Sequence, residues 1–299
     1  VLQKISDRLH FLISATGFTY CNCIVVEDDI RAILDTGADK NSIDSIHPES
    51  IDMVLNTHHH YDHTRGNQYF QNSRLYIHAL DYAPLSSRED YIHYNSIDMW
   101  ESLMPNADYT EASVLMGIEE DDVARNMRVD QVLNNDQVID FGHTNMEVIH
   151  TPGHSAGHCS FWFPNEEFLF TGDICLTQAG PWYGEIYANP DDMINSINRL
   201  IKLNPPRMTS CHINEICYDC VERLAEFRDR IYKREERIYR SLKKQPVDLH
   251  QLAERKLIYQ MHPTPFVLFW EKCMLLKHLE QLQQKGLVEI VEKEVYRAI

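Results

Sequence analysis

Four side chains able to bind a metal fall within six residues of one another: His58, His60, Asp62 and His63, in the run Thr57-His58-His59-His60-Tyr61-Asp62-His63. Three imidazoles and a carboxylate suit a divalent cation such as zinc, manganese or iron. Ligands on one helix face would be spaced one turn apart. Spacings of two, four and five fit a strand end that breaks into a turn, and the preceding Ile51-Asp52-Met53-Val54-Leu55 reads as a buried strand. A surface histidine cluster or a tag remnant is the plainer reading, and the embedded Asp62 speaks against it.

The pattern recurs along the chain. Thr151-Pro152-Gly153-His154-Ser155-Ala156-Gly157-His158, Thr171-Gly172-Asp173 and Ser210-Cys211-His212 each follow a strand-like run. Four strand ends therefore each offer His or Asp at a turn. This order of motifs resembles the metallo-β-lactamase-fold hydrolase superfamily, and its glyoxalase-II-like branch most closely. The resemblance covers roughly residues 1–220 and implies an α/β fold, the four-layer αββα sandwich. It also implies two divalent metals, zinc foremost, with iron or manganese as alternatives. His58, His60 and His154 would hold the first metal. Asp62, His63 and His212 would hold the second, with Asp173 as the bridge.

One position departs from the family pattern. The last histidine lies in Cys211-His212-Ile213, where relatives have Gly-His-Gly. Without His212 the site would hold one metal, as in persulfide dioxygenases of this fold.

Two cations roughly 3.5–4 Å apart activate a water as nucleophile at neutral pH and polarise a carbonyl or phosphoryl oxygen. Asp62 would then orient the nucleophile and take up its proton. Asp35, in Ile33-Leu34-Asp35-Thr36-Gly37, matches the family's early strand-turn motif and would accept a hydrogen bond from a ligand histidine. An ordinary turn aspartate is the alternative. His59 points away on any strand-turn geometry and is not expected to be a ligand. His158 suits a supporting or a structural role equally. Gly153 and Gly157 suit a tight turn around His154.

The elements that position these residues follow from periodicity. Strands are expected over 9–14, 20–27, 30–34, 74–78, 138–141, 146–149, 159–163 and 168–170, with a helix over 191–203. Residues 80–130 form a long, mostly helical insertion broken at Met104-Pro105-Asn106; it reads as a lid or pocket wall, with a homodimer surface as the competing reading. Between Asp173 and the 191–203 helix, Pro181-Trp182-Tyr183-Gly184-Glu185 brings aromatic rings near a ligand. Trp182 and Tyr183 are the substrate-contact candidates there, with the Tyr183 hydroxyl bonding a substrate carbonyl or leaving group. Packing of the loop is the alternative.

Composition agrees with a globular chain. The 299 residues are 43% hydrophobic, contain no transmembrane-length apolar run, and carry a net charge of −17. Residues 1–220 carry 12 basic and 33 acidic side chains (net −21), whereas 221–299 carry 16 and 12 (net +4). This asymmetry places a boundary near 220 between the hydrolase domain and a C-terminal part. That part reads as a linker helix from 219 to 244, helices over 249–258 and 265–285, and a hairpin, which together resemble a winged-helix module. Its helices lack a dense basic face, so packing or dimerisation is favoured over nucleic acid.

Cys217-Tyr218-Asp219-Cys220 has no second pair to complete a zinc site. Eight cysteines without a framework spacing, and an N-terminal stretch unlike a signal peptide, point to the cytoplasm. The leading expectation is a dinuclear metal hydrolase of a small-molecule thioester, ester or lactone. A phosphodiester or RNA hydrolase is the first alternative, opposed by the acidic charge. A non-haem iron oxygenase or redox protein is the second; His60, where diiron flavoproteins of this fold carry Glu, argues against that branch. A binding protein with an idle metal site is a third.

Overall fold

The computed structural model describes residues 1–14, 17, 19–118, 127–292 and 294–299. Residues 119–126, within the 80–130 insertion of the sequence reading, lie outside the described residues. The first sheet runs in chain order: β1 (Leu2–Lys4), β2 (Leu9–Leu12), β3 (Cys23–Val26), β4 (Ala32–Leu34), β5 (Met53–Leu55), β6 (Arg74–His78) and β7 (Gln131–Leu133). β1 to β4 pair antiparallel and β4 to β7 parallel. The parallel strands β4 and β5 are buried throughout, as strands covered on both faces must be.

The second sheet holds β8 (Val138–Asp140), β9 (Asn145–His150), β10 (Cys159–Phe163), β11 (Phe168–Phe170) and β12 (Arg207–Thr209), in spatial order β12-β11-β10-β9-β8. Side chains alternate between its faces. Met146, Val148, Phe161, Phe163, Phe168 and Phe170 join the first sheet in one apolar core. Ile149 and Leu169 point the other way, onto the helix Pro190–Leu203. Asn189 caps that helix through its side chain, and Pro190 and two aspartates occupy its first turn. Two sheets back to back with helices outside make the four-layer α/β sandwich.

The C-terminal part comprises the helices Cys220–Leu242, Leu249–Glu254 and Pro265–Gln284 and a three-stranded sheet, β13 (Val247–Asp248), β14 (Val288–Glu292) and β15 (Val295–Ala298), ordered β13-β15-β14. Its apolar side chains are continuous with the outer face of the second sheet: Leu224, Phe227 and Ile231 share a cluster with Met193, Ile197 and Leu200. The charge boundary at 220 is thus not a boundary in the packing. The insertion docks on the same part, with Trp100 4.9 Å from the rings of both Phe266 and Phe269. No helix among the described residues is long and apolar enough to cross a membrane.

Arg234 locks the long helix to the loop after Asp173. It is almost fully buried and donates to the carbonyls of Pro181 and Ala179 and to the Tyr183 hydroxyl. Arg234→Met would fill the space but leave those acceptors dry and unpaired, at about 1–3 kcal/mol each before relaxation. The expected result is a loss of about 3 kcal/mol of unfolding free energy, read from denaturant titration of the metal-free protein.

Candidate metal centre

Five strand ends meet at one edge of the sandwich. β5 runs into His58, β9 into His154, β11 into Asp173, β12 into His212, and β4 into Asp35. His60 stands at the start of the short helix Tyr61–Thr64, which carries Asp62 and His63. Two glycines permit this convergence. A Cβ on Gly37 would lie 1.4 Å from the Asp62 carbonyl oxygen, and one on Gly153, at φ +129°, would lie 2.3 Å from the Met193 nitrogen. Asp35 itself adopts φ 58°, a strained conformation for a non-glycine residue that turns its carboxylate beneath the centre.

His154 Nε2 lies 3.2 Å from His58 Nε2 and 2.9 Å from His60 Nδ1. Around the neighbouring point, Asp62 Oδ2 is 3.4 Å from His63 Nε2 and 3.3 Å from His212 Nε2. Asp173 spans the two groups. Its Oδ2 is 3.3 Å from His154 Nε2, while its Oδ1 is 3.3 Å from His63 Nε2 and 3.2 Å from His212 Nε2. All seven sequence-predicted ligand candidates are therefore brought together as two trios and a shared carboxylate.

Hydrogen-bond partners fix which nitrogen faces inward for four of the five rings. His154 Nδ1 donates to the Trp182 carbonyl at 3.0 Å, and His63 Nδ1 donates to Asp35 Oδ2 at 2.9 Å. Thr57 Oγ1 donates to Asp35 at 2.8 Å and so accepts from His58 Nδ1 at 2.9 Å. His60 Nε2 donates to Glu185 Oε2 at 2.8 Å. Each of these outward nitrogens thus has an acceptor, and the inward nitrogens of His58, His60 and His154 present lone pairs. Lone pairs about 3 Å apart repel unless a cation lies among them. His63 Nε2 and Asp173 Oδ1 are buried without a hydrogen-bond partner among the described residues. This donor set fits borderline divalent metals.

Electrostatics divide the trios. Burial, then the neighbouring imidazoles, hold His58 and His60 well below the usual histidine range, and burial lowers His154 also. For His63 and His212 burial also opposes the charge, but it is outweighed. The Cys21 thiol and the Asp62 and Asp173 carboxylates raise His63, and Asp173 and Asp62 raise His212. Asp62 and Asp173 are lowered despite their burial, because His63 and His212 stand beside both.

The supporting residues are now placed. Asp35 accepts from the ligand His63 and from the Thr57 amide. His158 is fully buried, accepts from the Asp173 amide at 2.8 Å, and is pushed down to about 3 by burial and by His154. His59 turns away from both trios and puts Nδ1 3.0 Å from Asp81. Asp81 also accepts from Ser155 Oγ and the Gly157 amide, each at 2.6 Å, tying the insertion to the His154 turn. Trp182 packs its ring 5.2 Å from those of His60 and His154.

The expectation for Tyr183 is corrected. It is fully buried on the opposite side of the loop, where its hydroxyl lies 2.9 Å from His278 and accepts from Arg234. Successive residues of an extended loop face opposite ways, so Trp182 meets the centre and Tyr183 meets the C-terminal helices. Asp81 and Glu185 were missed: each is a lone carboxylate with no motif around it. Their one signal in the sequence is placement, in segments expected to lie near the centre.

The model of the metallo-beta-lactamase superfamily matches residues 16–212, and the chain belongs to that superfamily. Its members bind one or two divalent metals. The chain is 28% identical over 163 residues to a hydroxyacylglutathione hydrolase of Rhodospirillum rubrum, covering 54% of this chain and 48% of that protein. It is 23% identical over 161 residues to an N-acyl homoserine lactonase of Bacillus thuringiensis, covering 51% of each. The chain thus spans about half the length of these curated relatives. A crystal structure of a metallo-beta-lactamase family protein from Thermus thermophilus shares the fold at a TM-score of 0.80 and 19% identity, over 99% of this chain and 100% of that one. The C-terminal part is therefore included in the likeness.

Proposed function

We propose that this chain is a dinuclear metal hydrolase of a small thioester, ester or lactone. One observation carries the reading: the two oxygens of Asp173 face two different ligand trios. When bound, two divalent cations supply an activated water and polarise the scissile carbonyl. Zinc is favoured by the nitrogen-rich donor set. Asp62, about a fifth exposed at the rim, orients the attacking water and relays its proton to solvent. Asp35, Glu185 and the Trp182 carbonyl hold the rings of His63, His60 and His154. The Trp182 ring offers an apolar wall for an acyl group.

Sequence relatives named for a thioester and for a lactone support that substrate class. Lys272 and Lys277 of the C-terminal helix donate to the carbonyls of Leu103 and Ile186. Their charges face the protein, which supports a bracing role for the C-terminal part over nucleic-acid binding. All eight cysteines are free, in keeping with a reducing cytoplasm.

The test is a substrate panel of acyl thioesters, lactones and phosphodiesters, with metal-replete and chelator-stripped protein. Turnover of a thioester or lactone, lost on stripping and restored by zinc, is the expected outcome. Unchanged turnover in stripped protein would overturn the reading, and hydrolysis of the phosphodiester alone would reassign the substrate.

A further inference from the structure

Glu185 is the least explained titratable group near the centre, and burial, then the Asp81 carboxylate, push its carboxyl group well above the usual carboxylate range. It is fully buried on the loop between Asp173 and the Pro190–Leu203 helix, 125 residues from its partner His60 in sequence. Its Oε2 accepts from His60 Nε2 at 2.8 Å and lies 3.4 Å from His59 Nε2, while its Oε1 has no hydrogen-bond partner among the described residues. No helix dipole or surface ion pair accounts for such a carboxyl group, and burying one is costly unless a specific contact requires it.

The contact explains an asymmetry in the first trio. His58 and His154 turn Nε2 toward the centre, whereas His60 turns Nδ1. A free imidazole favours neither choice strongly enough to fix it, and rotation about the Cβ–Cγ bond would carry Nδ1 out of the centre. An acceptor at 2.8 Å from Nε2 settles both the tautomer and the ring angle. We propose that Glu185 is a positioning residue for the first metal, holding His60 with its proton on Nε2 and its Nδ1 lone pair directed at His58 and His154. This rests on reading the trio as a metal site. The rest of the network is arranged to suit: Asp81 engages His59 Nδ1 and its amide, which keeps that ring upright beside Glu185.

The loop geometry gives the interaction its reach. Trp182 presents its carbonyl to His154, and Glu185, three residues on, presents its carboxyl group to His60. Lys277 then secures the next residue through the Ile186 carbonyl at 2.6 Å. One loop therefore positions two of the three first-site ligands from outside.

The test uses the full chain, stripped of metal and titrated with zinc against a chromophoric chelator, in wild type, Glu185→Gln and Glu185→Met. Glutamine keeps an acceptor for His60, and methionine keeps the volume without one. The methionine variant is expected to weaken the tighter zinc equivalent by about 10–100-fold, with glutamine between it and wild type. Wild-type affinity in the methionine variant, even with a lowered melting temperature, would show that Glu185 only braces the loop and would overturn the proposal. A third zinc equivalent lost with Glu185 would make it a ligand and overturn it equally.

Nitrogen-15 NMR of the zinc-loaded protein gives a readout that does not depend on the methionine variant folding: the His60 Nε2 proton is expected to be held against exchange with solvent in the wild type and to exchange faster in Glu185→Gln, and equal exchange in both, or a proton on Nδ1, would overturn the proposal. None of these measurements involves a substrate, so a chain that binds zinc as described but hydrolyses nothing defeats the functional reading alone. A wild type that binds no metal defeats both.

Discussion

Asp173→Ala is expected to reduce hydrolysis by about 10³-fold or more and to lower the zinc content measured after dialysis. The size of the effect follows from the proposed chemistry, since the pKa of water falls steeply, to about 7, on binding a catalytic zinc. Among the described residues, Asp173 is the one side chain whose oxygens face both trios, so its loss should affect both. Removal of the carboxylate also leaves His63 and His212 without one of the charges that hold them in place. The fold should persist, because the Asp173 amide, which alanine retains, still donates to His158. Circular dichroism checks that point, and elemental analysis with steady-state rates checks the rest. Full zinc content with undiminished turnover would remove Asp173 from the centre.

Acidification should release the two metals separately, and this is the second large effect. His63 and His212 have raised pKa values in the metal-free protein, so they carry protons that a cation must displace. Affinity at the second trio therefore falls as pH falls, by up to about 100-fold per pH unit while two protons are exchanged. His58, His60 and His154 have lowered pKa values and are already neutral near pH 7, so affinity at the first trio holds through that range. Zinc titrations at about pH 8 and about pH 6 should give two equivalents and then one. Equal weakening of both equivalents would mean that the two trios do not differ in protonation.

The candidate metal centre was legible in the sequence because the proposed ligands stand beside the strand ends that carry them. His58, His154 and Asp173 each follow an apolar run by a few residues, and such runs announce themselves by period and by β-branched or aromatic content. The long elements were legible for the same reason: the Pro190–Leu203 and Pro265–Gln284 helices and the strands β6, β10 and β11 fall where the periodicity places them. What the sequence could not convey was contact across distance. Asp81 and Glu185 reach the centre from segments with no local motif, and only the folded chain sets Glu185 beside His60.

Two strands were also hidden: β7 has a polar Gln131 and an exposed Val132 instead of a buried apolar run, and β13 has only two residues. Tyr183 shows a subtler limit. The aromatic loop was placed beside the centre, but a shift of one residue decides which ring points in.

The anchoring of that loop has a consequence for the order in which the protein matures. Every proposed metal ligand has been synthesised once residue 212 emerges, and the two sheets that carry them close around one core. The loop that fixes the rings of His154 and His60 is fastened later, by Arg234, Lys277 and His278. A nascent chain therefore holds all of its ligands before it can hold them still. Domains take shape from the N-terminus during synthesis. Under the proposed function, the final ordering of the His154 and His60 rings thus waits on helices that carry none of the proposed ligands.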